Sequence, residues 1–379
     1  MKLSAALAAL VVLCLAAPLR SQPQPPDQPR ATLDAMRRVA DWQLGHLDDV
    51  SYVRTFKTDT ADPRGWIQGA FWVGLTALAD HDPRYARAIV ARGEALEWSL
   101  GGRKYHADDQ VIGRAWLWAA AHGHPDAIVP ARAHLDAILA APPQVGLDFD
   151  RAKNGGASCE DRWCWADALF MAPPTWAALS RQTGEGRYLA YADKEWWATT
   201  TFLYDPAEHL YWRDSTYFER RGPGGEKIFW SRGNGWVYAG LVQMLQALPA
   251  GHPSRDRYEA LYQEMSETLV ELQRPDGYWP TSLLGRGDTT PETSGTGFFT
   301  YGLAWGVNTG RLKGPRYRAA VTHGWAALKA AVQADGRLGW VQQVGAGPDQ
   351  VFATDTQLYG AGAFLLAGSQ IYELERNAR

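Results

Sequence analysis

Cysteine is scarce in this 379-residue sequence, with three residues in all, and Cys14 sits inside an N-terminal apolar run. The remaining two, Cys159 and Cys164, have no histidine beside them and make a poor ligand set for zinc. Charge of one sign is lacking too. There are 38 Lys and Arg against 41 Asp and Glu, a formal net charge of −3, and no run of like charges. That disfavours a protein that coats nucleic acid or another polyanion, while leaving room for a local basic pocket. Beyond the N-terminal run, no segment is long and apolar enough to anchor the chain in a bilayer.

The N-terminal residues MKLSAALAALVVLCLAAPLRS combine a short positive start, an apolar run and small residues near Ala16 and Ala17. This predicts a secretory signal peptide over 1–21, followed by a polar, proline-rich linker over 22–30. Cys14 follows Leu13 rather than the small residue of a lipoprotein cleavage site. The mature protein is therefore expected to be soluble and exported, to the periplasm or the medium. In such an oxidising compartment Cys159 and Cys164, with four residues between them, are expected to close a small disulfide loop, with zinc as the competing reading. Aromatics are abundant, 18 Trp and 16 Tyr. Core packing and a sugar-stacking groove account for them equally well.

Helical periodicity dominates from residue 31 onward. It predicts twelve helices near 31–47, 65–80, 83–98, 107–122, 125–140, 164–182, 185–202, 233–248, 254–273, 294–309, 314–333 and 353–374. Their character alternates. GWIQGAFWVGLTAL, GNGWVYAGLVQML and SGTGFFTYGLAWGV are apolar all round, whereas YEALYQEMSETLVELQ and YRAAVTHGWAALKAAV are amphipathic. Helices of the first kind are buried and those of the second lie outside. Six inner and six outer helices predict an all-α (α/α)6 barrel, one catalytic domain over 31–376. An open α-solenoid is the alternative. The connections HLYWRDSTYF, DGYWPTSLL and DGRLGWVQQV alternate apolar and polar residues, which predicts short β-hairpins over one rim.

Polar residues gather at the starts of the inner helices: Asp108 and Asp109, Asp167, Arg232 and Asn234, Glu292 and Thr293, and Asp355. Helix capping explains such positions in general. Asp167 fits capping less well, because Trp165 and Ala166 precede it and Leu169, Phe170 and Met171 follow. An apolar wall raises a carboxyl pKa and keeps a proton for general acid work near neutrality. In FWSRGNGWVYAGL, Arg232 and Trp236 lie four residues apart on one helix face. Gly233 and Gly235 are expected to let a ligand approach the backbone. A guanidinium suits a carboxylate and an indole suits a sugar face. The competing reading pairs Arg232 with a neighbouring Asp and puts Trp236 in the core.

Taken in order, ADDQVIGRAWL, WCWADALFMAPPTWAAL, YWRDSTYF, FWSRGNGWVYAGL, DGYWPTSLL and ETSGTGFFTYGLAW resemble the unsaturated glycuronyl hydrolases. They are most similar to the unsaturated rhamnogalacturonyl hydrolases of glycoside hydrolase family 105, related to family 88. The resemblance spans roughly 30–375. It implies an (α/α)6 barrel and an unusual reaction on the terminal unsaturated uronic acid of lyase-generated oligosaccharides. An Asp protonates C4 of the C4–C5 double bond and helps water add at C5. The hemiketal then rearranges and releases the saturated partner, without metal or cofactor. By the resemblance, Asp167 in Trp165–Ala166–Asp167 is the acid/base, and Asp108 or Asp109 is the second carboxylate, with Asp108 favoured. Trp165, Arg232, Asn234 and Trp236 fall in substrate-facing segments, and Trp66 and His106 join them as candidate contacts. Arg213 stands where many relatives carry a His, and is expected to contact an acidic group.

Three other functions fit parts of the sequence. An inverting glycosidase would use Asp108 and Asp167 across the bond, about 6.5–9.5 Å apart. A sugar epimerase would want His bases, and only His106 lies in a suspect motif. A non-catalytic carbohydrate-binding protein would have little use for an isolated carboxyl in an apolar wall. No nucleic-acid partner is expected, and the chain is expected to be a monomer or homodimer.

Overall fold

A computed structural model describes residues 28–55 and 57–378; the expected signal peptide lies outside the described residues. In chain order the main helices are α1 (Gln28–Leu44), α2 (Trp66–Ala79), α3 (Ala86–Ala95), α4 (Gly113–Ala121), α5 (Ile128–Ala140) and α6 (Pro173–Thr183). They continue with α7 (Gly186–Leu203), α8 (Ser231–Ala247), α9 (Arg255–Leu272), α10 (Thr293–Asn308), α11 (Pro315–Ala330) and α12 (Leu358–Asn377). The even-numbered helices are the inner ones. Ser231 to Leu245 of α8 and Thr293 to Val307 of α10 are buried without interruption. On outer helix α9 the buried residues Tyr258, Leu261, Tyr262, Met265 and Leu269 recur at three- and four-residue steps. Each such side chain contributes about 1.5–3 kcal/mol on leaving water.

Closure separates a barrel from a solenoid. Each inner helix packs on the next in chain order, and α12 packs back on α2. Glycine makes that last contact possible: a Cβ on Gly74 would lie 2.4 Å from the Gly362 carbonyl oxygen, and one on Gly362 equally close to that of Ala70. Outer helices α3, α5, α7, α9 and α11 lie against the inner helix that precedes each, and α1 packs on α12, so the two ends of the chain complete the sixth hairpin.

The helix boundaries depart from expectation where caps and prolines act. Helix α1 begins at Gln28, inside the segment read as linker. The third inner segment is broken into a single turn, Ala168–Met171, and α6, because Pro173 and Pro174 lack the N–H groups that would continue the first piece. The last inner helix starts at Leu358, and Asp355 stays in the preceding loop, paired with Arg54 at 3.0 Å. Of the three rim connections, HLYWRDSTYF supplies strand β2 (Leu210–Tyr211), antiparallel to β1 (Tyr204–Asp205). The other two form isolated bridges, Trp230 with Ser282 and Val332 with Leu338. Most tryptophans are core residues, Trp72, Trp116, Trp176, Trp196 and Trp279 among them.

Candidate active site

Residues leading into the inner helices meet at one mouth of the barrel. They enclose a cavity of about 310 Å³ lined by Trp66, Asp108, Trp165, Asp167, Arg213 and Trp236, with Asp59, Met171, Trp230 and the loop 344–346. A neighbouring cavity of about 460 Å³ shares Asp59, Trp66, Asp108, Trp165 and Arg213 and adds Asp62, Arg103, His106, Asp109 and Glu160. The indoles of Trp66 and Trp236 meet edge to face, with ring centres 6.1 Å apart, and Trp66 stacks on Tyr359. Two apolar plates thus stand beside the carboxyls.

Asp167 precedes the Ala168–Met171 turn but takes no capping bond. It is 9% exposed, and its buried Oδ1 has no hydrogen-bond partner among the described residues. The nearest cation is Arg213, whose Nε lies 3.8 Å from Oδ2. Burial pushes this carboxyl up to about 6, against the opposing pull of Arg213 and Arg232 and with help from Asp108 and Asp214. Arg213 itself donates to Asp214 at 2.6 Å, and its Nε makes no hydrogen bond. One N–H of this cation is thus buried and uncommitted.

Asp108 and Asp109 sit on a 3-10 turn, Ala107–Asp109, and differ in what they do. Asp109 accepts from Arg103 through the backbone N–H (2.6 Å), Nε (3.0 Å) and a terminal nitrogen (2.6 Å), so its carboxyl is committed to the turn. Asp108 reaches both cavities, and burial raises its pKa against the pull of His106 and Arg103. The Asp108 N–H donates to His106 Nδ1 at 3.3 Å. The other ring nitrogen of His106 faces Glu160 at 3.9 Å. His106 holds the Glu160 carboxyl down to about 2.

Three expectations are corrected here. Arg232 is fully buried and does not line either cavity; its terminal nitrogens donate to the Gln342 and Gln343 carbonyls at 2.7 and 3.0 Å. Its guanidinium lies between the rings of Trp230 and Tyr359, 4.3 and 4.9 Å from their centres. Neither the substrate contact nor the Asp pairing is what the fold makes of it. Asn234 clasps the Tyr211 backbone, accepting from its N–H at 2.7 Å and donating to its carbonyl at 3.0 Å. Gly235 serves packing instead of ligand approach, since a Cβ there would lie 3.1 Å from that of Phe298; Gly233 does border Asp167, whose Oδ1 would be 3.6 Å from such a Cβ. At α10, Glu292 caps the helix through Ser294 and Gly295 N–H groups, and Thr293 donates to the Gly339 carbonyl.

The sequence reading missed Asp59, Asp62, Glu160, Trp230 and the loop 344–346. Asp59 and Asp62 stand just ahead of α2, the placement that drew attention to Asp108 and Asp167, so the same logic would have found them. The Val344–Gly345–Ala346 stretch carries no chemical signal. Among the described residues no group of three His, Cys, Asp or Glu is arranged to hold a metal ion.

Cys159 and Cys164 are joined, with Cα atoms 5.7 Å apart. The loop they close carries Glu160 on its inner side and runs into Trp165 and Asp167. Opening it in a Cys159→Ser/Cys164→Ser variant is expected to raise KM severalfold, with a smaller loss of melting temperature. An unchanged KM would remove this role.

A closed ring of paired helices, with an isolated buried carboxyl and indole plates at one mouth, defines an (α/α)6-barrel carbohydrate-active enzyme. The chain belongs to Glycosyl Hydrolase Family 88, whose family model matches residues 35–375. It is 44% identical over 346 residues to the Unsaturated 3S-rhamnoglycuronyl hydrolase of Alteromonas sp. (strain LOR), covering 88% of this chain and 84% of that one. The barrel superposes with a TM-score of 0.77 on Glycosyl hydrolase family 88 from Bacteroides vulgatus, at 27% identity, covering 91% of this chain and 99% of that one. The same score relates it to Polysaccharide Lyase BACCELL_00875, at 28% identity, covering 92% and 98%. The chain is a glycoside hydrolase, and the resemblance seen in the ordered motifs is borne out.

Proposed function

We propose that the enzyme hydrates the C4–C5 double bond of a terminal unsaturated uronic acid on a lyase-generated oligosaccharide, and so releases the saturated remainder. The observation that carries this reading is Asp167: one buried carboxyl, near neutrality in its proton affinity, with an unbonded oxygen beside an indole-lined cavity. In the proposed step Asp167 delivers its proton to C4, and positive charge develops at C5 and the ring oxygen. Water then bonds to C5 and returns a proton to the Asp167 carboxylate. The resulting hemiketal opens and the glycosidic partner leaves. Arg213, beside Asp167 in the cavity lining, receives the uronate carboxylate, and the half-buried Trp66 offers a face to the sugar ring, while Trp236, 1% exposed, backs it from the core. Asp108 is the second carboxylate and Asp109 supports the turn that carries it.

The test follows the ultraviolet absorbance of the conjugated enol ether in lyase-treated polysaccharides. Hydration removes it. A lyase would increase it, and an inverting glycosidase would turn over saturated glycosides and leave it unchanged; either result sinks the proposal. The sign of the pH dependence is also set. The acid must be protonated, and its pKa lies near about 6, so kcat is expected to fall as pH rises through that value, about tenfold per unit. A rate that instead climbs from pH 6 to 8 would exclude Asp167 as the acid.

Export is part of the proposal, resting on the signal-like residues 1–21. Among the described residues no helix is long and apolar enough to cross a membrane.

A further inference from the structure

A cleft larger than the catalytic cavity lies outside it. It measures about 920 Å³, some three times the inner cavity, and its lining includes Arg220, Arg221 and Arg286. All three are exposed, and among the described residues none is engaged in an ion pair. Two of them have defined contacts. Arg220 lies over the Tyr217 ring at 4.6 Å. Arg221 donates to the Phe218 and Arg220 carbonyls at 2.9 and 2.7 Å, which holds it at the start of the 221–227 turn. Arg286 lines the same cleft from the bend that follows the 282–285 turn. Two carboxylates, Glu226 and Asp288, also line the cleft. Those of Asp288 are turned inward, accepting from Thr281 Oγ1 and the Thr290 N–H at 2.9 Å each.

The cleft and the inner cavity share a wall. Val344, Gly345 and Ala346 face the cavity, and Pro348 faces the cleft. Tyr217, itself in the cleft lining, donates to the Ala346 carbonyl at 2.7 Å and so ties the two sides together. On the other flank the mouth is acidic: Asp59, Asp62, Asp108, Asp109 and Glu160 against Arg103 and Arg213. A polyanionic chain leaving the cavity is repelled on that flank and attracted on the arginine side. Guanidiniums that form no ion pair keep donors for carboxylate or sulfate oxygens, and Arg221 commits only one terminal nitrogen to backbone carbonyls.

We propose that this cleft binds an anionic part of the oligosaccharide beyond the bond that is cleaved, a uronate carboxylate or a sulfate ester. The assignment rests on the function proposed above. It makes the enzyme selective for charged oligosaccharides over short or neutral ones, through binding of the leaving portion and not through the chemical step.

The test uses the full chain and an Arg220→Ala/Arg286→Ala variant, since neither residue belongs to the catalytic cavity. With a lyase-generated anionic oligosaccharide of four or more sugars, KM is expected to rise about tenfold in the variant while kcat holds. With an unsaturated uronic acid linked to a small neutral group, both constants are expected to stay as they are. Added salt should erode the preference of the natural chain and leave the variant unaffected. A variant that keeps the preference overturns the proposal, as does a natural chain with none. A separate calorimetric arm titrates a saturated galacturonate tetramer and a sulfated neutral tetramer, which need no turnover. Weaker binding of either to the variant supports the cleft and shows which anion it takes; equal binding of both overturns it, whatever becomes of the hydrolase reading.

Discussion

Changing Asp167 to asparagine is expected to lower turnover by about 10³-fold or more while leaving the barrel folded and substrate bound. General acid–base groups contribute about 10²–10⁴-fold, and this carboxyl is proposed to act in both directions. The same substitution should stabilise the protein, with a definite pH dependence. Burial raises the folded-state pKa from 3.8 to about 6, so the unfolded chain ionises first. The group's contribution is full below about pH 4 and is lost as pH rises through 6. Neutral asparagine avoids burying the charge, which is worth up to about 3 kcal/mol at pH 8 and close to nothing at pH 4. Loss of activity in the ultraviolet assay, together with a melting gain of a few degrees at pH 8 but not at pH 4, checks both halves. Retained turnover would end the assignment. A melting temperature that fell at every pH would show that Asp167 holds structure instead of storing a proton.

The adjacent pair gives the second large contrast. Asp108→Asn is expected to cost about 10²-fold in kcat with no loss of stability, because its carboxyl, raised in pKa by burial, lines both cavities and accepts no hydrogen bond among the described residues. Asp109→Asn is expected to do the reverse. It removes the charge and one of the two buried oxygens that hold Arg103, at a cost of about 1–3 kcal/mol. Its kcat should remain within a few fold of the natural value. Kinetics and thermal unfolding of the two variants, measured side by side, decide the matter. If Asp109→Asn is the one that kills turnover, the two roles are exchanged.

The stability and the activity of this mouth pull against each other. Asp167 Oδ1, Arg213 Nε and Arg232 Nε are all buried without hydrogen-bond partners among the described residues. Unsatisfied buried polar atoms cost about 1–3 kcal/mol each. Asp167 and Arg213 line the catalytic cavity. Arg232 differs: its two terminal nitrogens anchor the 342–343 backbone, at the root of the 344–346 loop that walls the cavity. It positions the wall while its charge also draws the Asp167 pKa down.

How much of this was legible beforehand follows from the range of each interaction. Burial pattern is a local property, so the alternation of uniformly apolar and amphipathic helices was readable, and with it the barrel. The isolation of Asp167 was readable for the same reason: Trp165 and Met171 are its sequence neighbours and line the same cavity. The Cys159–Cys164 link spans five positions and needed no tertiary information. Arg232 and Asn234 were misplaced because their partners, Gln342, Gln343 and Tyr211, lie 23 to 111 residues away. An arginine at a helix start looks the same in sequence whether it meets a ligand or a carbonyl. The division between Asp108 and Asp109 turned on Arg103, whose side chain could have taken either.

Sequence alone therefore determined the helical hairpins, their inner and outer order and the carboxyl at the third inner start, since each depends on contacts within a few turns. Tertiary structure decided ring closure through Gly74 and Gly362, the loop 344–346 as a wall, and the arginine cleft beyond it. Those depend on which distant backbones approach each other, and side-chain type at one position does not encode that.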